Sequence, residues 1–285
     1  MKPRILTYNL KAANDCKIYI VTDTHYESGR IFEFDNILKE AKKSKPDVII
    51  MAGDTINYLN DIDSETSRQE LINFFKKLSS IAPVYLGVGN HDQMHKDRKF
   101  LPAKMLKEQQ IFLDFFRSIP EITLLHNQKV ELKKGINLIG LTLSRDDYQL
   151  PNSTGTEEPA EKLKEELLKH QKLLSRTSPN ETNILLIHSP RRFTSEIVDS
   201  LGGIDYIITG HMHQGCVPFG LDEILPGTWG IIAPGNAPFP IRARHTFPKY
   251  SDKLIVLPAY KTFAGWRRHR NAIFPQSHTI IQFHK

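Results

Sequence analysis

The apolar residues of this chain fall into short runs that stop abruptly at polar clusters, with stretches of helical spacing between them. Runs at 17–21, 47–52, 84–88, 183–187 and 206–209 are too short for core helices and rich in β-branched residues, so they predict buried strands. Phe34, Ile37, Leu38 and Ala41, spaced i, i+3, i+4, i+7, predict an amphipathic helix over 34–43 that Pro46 ends. Leu71, Phe74, Phe75 and Leu78 predict a second helix over 67–79, and further helices are expected at 111–116, 161–174 and 194–201. Runs at 122–125, 129–132 and 137–142 read as strands, with Lys133-Lys134-Gly135 as a hairpin turn. Runs at 229–233, 253–257 and 279–283 give the chain a β-rich end. Strands alternating with helices predict an α/β fold with parallel pairing. No repeat or linker divides the chain, so residues 1–285 are expected to form one domain, with a β-rich completion after about residue 214. The polar stretch 144–159 has the length of a functional lid or a mobile segment.

What ends the runs changes the picture. The first stops at Asp23-Thr24-His25, the second at Gly53-Asp54-Thr55-Ile56-Asn57, and the third at Gly89-Asn90-His91-Asp92. The fourth stops at His188 and the fifth at Gly210-His211-Met212-His213. A strand, a crossover helix and a parallel strand take roughly 30 residues, so Asp23 and Asp54 belong at the same end of neighbouring strands. In extended backbone, residues i and i+2 share a side, which would let Asp23 and His25 approach one ion together. Any one of these clusters is more often a turn than a site, since Gly, Asn and Asp are turn residues. Five in order along one chain form a donor set of carboxylate, amide oxygen and imidazole suited to divalent transition metals. His91 is the natural proton carrier among them.

Composition narrows the setting. The 285 residues are 40% hydrophobic and 25% charged, ordinary for a globular protein, and no apolar run approaches the length of a membrane span. Cys16 and Cys216 are too few for a disulfide framework or a thiolate site, which fits a reducing, cytoplasmic setting. A net charge of +6 favours acidic partners such as phosphates, nucleotides or nucleic acid. The charge is spread, and only Arg267-Arg268-His269-Arg270 beside Trp266 is dense enough for a phosphate-binding rim.

Over residues 17–214 the ordered motifs resemble the calcineurin-like metallophosphoesterase superfamily, with no motif missing. Pro234-Gly235-Asn236 also resembles the turn that many members place after the last motif. The resemblance implies a four-layer α/β/β/α sandwich with two divalent transition-metal ions at the strand ends, manganese first, with iron or zinc as alternatives. It implies that Asp23, His25 and His213 hold one ion, that Asn90, His188 and His211 hold the other, and that Asp54 bridges them. In the family's terms a metal-bound hydroxide attacks the phosphorus, His91 protonates the leaving oxygen or holds a phosphate oxygen, and Asp92 orients His91. Asn57 would give hydrogen-bonding support.

The implied activity is metal-dependent hydrolysis of phosphoester bonds, as a phosphodiesterase or phosphatase on a phosphorylated small molecule, nucleotide or lipid-linked. A nuclease of the same superfamily is the alternative, along with a noncatalytic protein-binding scaffold of the same fold. Tyr58, Arg145, Trp229, Arg242 and Arg244 form a shortlist of side chains that could meet substrate. Cys216 and the histidines outside the motifs read as packing or surface residues.

Overall fold

Alternate residues of each central strand enter different apolar layers, and this makes the molecule two sheets face to face with helices outside both. A computed structural model describes residues 3–95, 102–143, 158–190, 193–211, 213, 253–261 and 276–285. In chain order these form β1 (Arg4–Lys11), β2 (Cys16–Val21), α1 (Asp35–Ser44), β3 (Val48–Ala52), α2 (Glu65–Ser79), β4 (Val84–Gly87), α3 (Pro102–Arg117), β5 (Ile122–Leu124), β6 (Gln128–Lys133) and β7 (Ile136–Leu141). There follow α4 (Glu158–Lys169), α5 (Gln171–Leu174), β8 (Thr182–Ile187), α6 (Ser195–Ser200), β9 (Tyr206–Thr209), β10 (Leu254–Val256) and β11 (Ser277–His284). One sheet runs β1-β11-β2-β3-β4-β5 and the other β10-β9-β8-β7-β6. Both are mixed: β2 to β5 are parallel but β11 opposes β2, and β7 to β10 are parallel but β6 opposes β7.

Ile18, Ile20, Val48, Ile50, Leu138, Ile184, Leu186 and Ile208 meet between the sheets. Their neighbours Tyr19, Val21, Ile49, Met51, Val84 and Leu86 face outward onto Phe34, Ile37, Leu71, Phe75, Phe112 and Phe116 of the α1 to α3 layer. On the far side Leu141, Leu185, Ile187 and Ile207 pack on Leu163, Leu167, Ile197 and Val198. Each such side chain, fully buried, contributes about 1.5–3 kcal/mol. The expected α/β/β/α sandwich is therefore the observed fold.

Several boundaries differ from the sequence reading. The helix expected over 161–174 is broken at His170, whose backbone leaves the helical region (φ −103°, ψ 13°), giving α4 and α5. The helix expected over 111–116 is the end of the longer α3. β1 was not expected, although Leu6, Tyr8 and Leu10 alternate with exposed Thr7, Asn9 and Lys11. The strand expected at 229–233, the stretch 144–157 and the basic run at 267–270 lie outside the described residues. No helix among the described residues is long and apolar enough to cross a membrane.

His278 on β11 is buried beneath α1, bonded to the Tyr19 hydroxyl and edge-on to the Tyr260 ring. Burial pushes its imidazole down to about 4, against an ordinary value of 6.5. Between those values the unfolded chain binds a proton that the folded chain does not, so stability is lost as pH falls from 6.5 towards 4. Urea unfolding from pH 7 to 5 should cost the natural protein about 2 kcal/mol more than it costs His278→Gln, whose side chain cannot charge. Parallel losses in the two proteins would remove His278 as the cause.

Candidate metal centre

Both sheets point the carboxyl ends of their parallel strands at one place, where α/β folds keep their ligand crevices. Past β2, the Asp23 N–H donates to the Gly53 carbonyl and the His25 N–H to the Asp54 carbonyl, both at 3.0 Å. Past β8 and β9, the Gly210 N–H donates to the His188 carbonyl at 2.8 Å. His188 joins the sheets directly: its ring donates from Nδ1 to the carbonyl of Ala52 on β3, 2.8 Å away.

Asp23 and His25 converge, but the extended backbone assumed from the sequence is not the cause. Asp23, His25, Asp54, His211 and His213 all have left-handed φ, between 43° and 63°. Each such residue costs an L-amino acid roughly 1–2 kcal/mol. The chain therefore turns sharply after β2, β3 and β9, and side chains that a straight strand would spread are gathered into one pocket.

The two carboxylates are fixed alike. Asp23 Oδ2 accepts from the Thr22 hydroxyl (2.8 Å) and the His211 amide (3.1 Å), while Oδ1 faces His213 Nε2 (3.1 Å) and His188 Nε2 (3.7 Å). Asp54 Oδ1 accepts from the His91 amide (2.7 Å), while Oδ2 faces His188 Nε2 (3.2 Å) and His25 Nε2 (3.9 Å). Each thus has one oxygen held by the backbone of a distant motif and one aimed at imidazoles. Glycine makes this approach possible. A Cβ on Gly89 would lie 2.2 Å from Asp54 Oδ1, and one on Gly210 would lie 2.2 Å from the Thr22 hydroxyl and 2.8 Å from Asp23 Oδ2.

Among the described residues three groups offer ligand atoms within 4.8 Å of one another: Asp23, His25 and His213; Asp54, His188 and His211; and His25, Asp54 and His91. The first brings together the three residues expected at one ion, and the second joins His188 and His211, expected at the other, to Asp54. Asn90 stands at the start of the 3-10 turn His91–Gln93, and its Oδ1 is buried with no hydrogen-bond partner, as is His25 Nδ1. Burial alone would raise both carboxylates, yet His213 and His188 around Asp23, and His188 and His91 around Asp54, hold them below the usual range. Burial opposes charge on His188, but Asp54 and Asp23 outweigh it and raise the ring to about 9. Burial, reinforced by His91, lowers His25. Two buried carboxylates among convergent imidazoles, with an unsatisfied amide oxygen alongside, suit divalent transition-metal ions.

One expectation needs correction. Asp92 does not orient the His91 ring. It is fully buried, and its two oxygens accept the backbone N–H groups of Ile56 (3.0 Å) and Gly89 (2.8 Å). His91 donates from Nδ1 to the carbonyl of Asn57 at 2.7 Å. A carboxylate whose oxygens are aimed at two amides of its own and the neighbouring loop is committed to stapling those loops together. Burial, with Asp54 nearby, raises the Asp92 carboxyl to about 7.

The sequence signature of the calcineurin-like phosphoesterases matches residues 16–215. The chain belongs to that family. An uncharacterized protein of Acanthamoeba polyphaga mimivirus is 26% identical over 236 residues, which is 73% of this chain and 16% of that protein. A protein of Invertebrate iridescent virus 6, itself only assigned as a phosphoesterase, is 28% identical over 94 residues, 32% of this chain and 33% of its own. The chain thus spans a third or less of the length of these relatives. Among solved structures, phosphopantetheinyl hydrolase of Mycobacterium tuberculosis has a TM-score of 0.44 at 14% identity, covering 89% of this chain and all of its own. A dimetal phosphatase of Danio rerio has a TM-score of 0.39 at 13% identity, covering 72% of this chain and 83% of its own.

Of the shortlisted residues of this phosphoesterase-family chain, Tyr58 lies beside the site, its ring 5.4 Å from that of His91. Arg145, Trp229, Arg242, Arg244, Cys216 and Pro234-Gly235-Asn236 lie outside the described residues. The sequence reading missed Thr22, which holds Asp23, and Lys261, whose ammonium donates to the His25 carbonyl at 3.0 Å. Neither is a metal donor, so a search for donors at strand ends passes over both.

Asp92→Asn should lower the stability of the metal-free protein by about 1–3 kcal/mol, because an amide can accept only one of the two N–H groups well. Thermal or urea unfolding measures this. Unchanged unfolding with a lost catalytic rate would return Asp92 to the role of orienting His91.

Proposed function

We propose that the protein hydrolyses phosphoester bonds with two divalent transition-metal ions, one held by Asp23, His25 and His213, the other by Asn90, His188 and His211, with Asp54 between them. The observation that carries this reading is the position of Asp54 Oδ2, which faces His188 of one group at 3.2 Å and His25 of the other at 3.9 Å. Such a pair of ions, when bound, activates water and neutralises the charge of a phosphoryl group. Manganese is the first choice and iron or zinc the alternatives, since imidazole disfavours magnesium and calcium. The substrate proposed is a phosphorylated small molecule, and the setting proposed is cytoplasmic.

His91 serves the leaving group. Its Nδ1–H stays on the Asn57 carbonyl throughout, so the ring can only gain or lose a proton at Nε2. Protonated there, it gives that proton to the leaving oxygen as the phosphorus–oxygen bond breaks, and the neutral ring remains held by Asn57. Tyr58 packs against the same ring and limits its rotation.

Manganese-loaded protein should turn over nitrophenyl phosphate mono- or diesters, and Asp54→Asn should nearly abolish this and weaken the binding of both ions. His91→Ala should keep both ions and lose rate by roughly 10²–10⁴, with a smaller loss for nitrophenyl esters than for alkyl esters. Equal losses on good and poor leaving groups would remove proton donation from His91. A panel of monoesters, diesters, cyclic nucleotides, nucleotide-sugar pyrophosphates and single-stranded DNA then ranks the substrate classes, and no turnover of any would defeat the hydrolase reading.

A further inference from the structure

The family signature ends at residue 215, yet the described segment at 253–261 returns to the centre. β10 lies beside β9, parallel to it, so the residues after β10 emerge at the same edge as His211 and His213. There the Tyr260 N–H donates to the Thr22 carbonyl (2.8 Å) and the Lys261 N–H to the Asp23 carbonyl (3.1 Å). The Lys261 side chain turns inward, buried to 5% exposure, and Nζ donates to the His25 carbonyl at 3.0 Å while paired with Glu33. Arg30 holds Glu33 from the other side, with Nε donating at 2.8 Å.

We infer that Lys261 is a positioning residue that clamps the Asp23-Thr24-His25 turn and so sets the affinity of the ion that turn would hold. Asp23 and His25 are both in left-handed backbone, a geometry that persists only where surrounding contacts over-determine it. Lys261 supplies a contact to each: its amide to one carbonyl and its ammonium to the other. The bond runs to the backbone, so the clamp fixes the direction of the His25 side chain and leaves both of its ring nitrogens unblocked. The contacts that Tyr260 and Lys261 make with the centre go to Thr22, Asp23 and His25, the turn of one ion, so the effect is expected at that ion.

The inference rests on the two-ion reading of the centre. Mn²⁺ titrated into metal-free protein, followed by calorimetry and by the resonance signal of free Mn²⁺, tests both. His213→Ala and His211→Ala assign the two binding steps. Lys261→Met, which leaves Glu33 its Arg30 partner, should weaken the step that depends on His213 by about 10–100-fold, as loss of a ligand-orienting contact does elsewhere. The step that depends on His211 should be unchanged. Lys261→Gln, which keeps an N–H donor, should show a smaller loss at the same step, and it replaces Lys261→Met if that variant does not fold. A merely structural lysine would lower urea stability while weakening both steps alike or neither, and either pattern overturns the proposal. A natural protein that binds fewer than two ions would instead fail the two-ion reading itself.

Discussion

Two carboxylates, Asp23 and Asp54, are buried side by side at the junction of two sheets, and everything around them answers the need to compensate their charge. In so enclosed a place an uncompensated carboxylate would cost several kcal/mol. The compensation comes from both sheets at once. His188 from the second sheet lies within 3.7 Å of Asp23 and 3.2 Å of Asp54, and its other nitrogen is tied to the first sheet through Ala52. The same geometry gathers oxygen and nitrogen donors that suit a divalent cation.

The strands make this possible by being apolar on both faces. Ile18 and Ile20 of β2 go between the sheets while Tyr19 and Val21 go under the helices, so β2 cannot slip by one residue without exchanging two packed layers. That fixes where each strand stops, and with it the place of each left-handed turn. The glycines complete the arrangement. Gly89 allows the backbone to run against Asp54, and Gly210 allows it to run against Thr22 and Asp23. A turn with side chains at those positions would push the carboxylates apart, and the centre would lose the spacing on which a bridging role for Asp54 depends.

The sequence made the fold and the donor set legible because both are written in strong local signals. Short apolar runs mark buried strands, and Asp, Asn and His at their ends mark a site. Its silences have equally local causes. β1 has an alternating pattern but only a half-buried apolar side, so its periodicity is weak. The break at His170 falls inside continuous helical spacing that Leu163, Leu167 and Leu174 still satisfy on either side of it. The clamp at Lys261 was hidden for another reason. It acts through a backbone carbonyl about 236 positions away, and neither residue type nor spacing encodes such a contact. Left-handed backbone at five of the site residues was also invisible, since Asp and His tolerate it without requiring it.

Gly89-Asn90-His91-Asp92 shows how far a motif can differ from its obvious reading. The residue types invite the view that His91 and Asp92 act as an acid and its orienting partner. In three dimensions the stretch is mostly scaffold: Gly89 makes room for Asp54, the His91 amide holds Asp54 Oδ1, and Asp92 ties the Gly89 amide to that of Ile56. What remains to offer chemistry is Asn90 Oδ1, buried without a partner, and the His91 ring, grouped with His25 and Asp54. In the proposed reaction His91 would divide its work, backbone to the carboxylate and side chain to the leaving group. Truncating its side chain leaves the amide that positions Asp54 in place, so metal binding and proton delivery should be separable at this one residue.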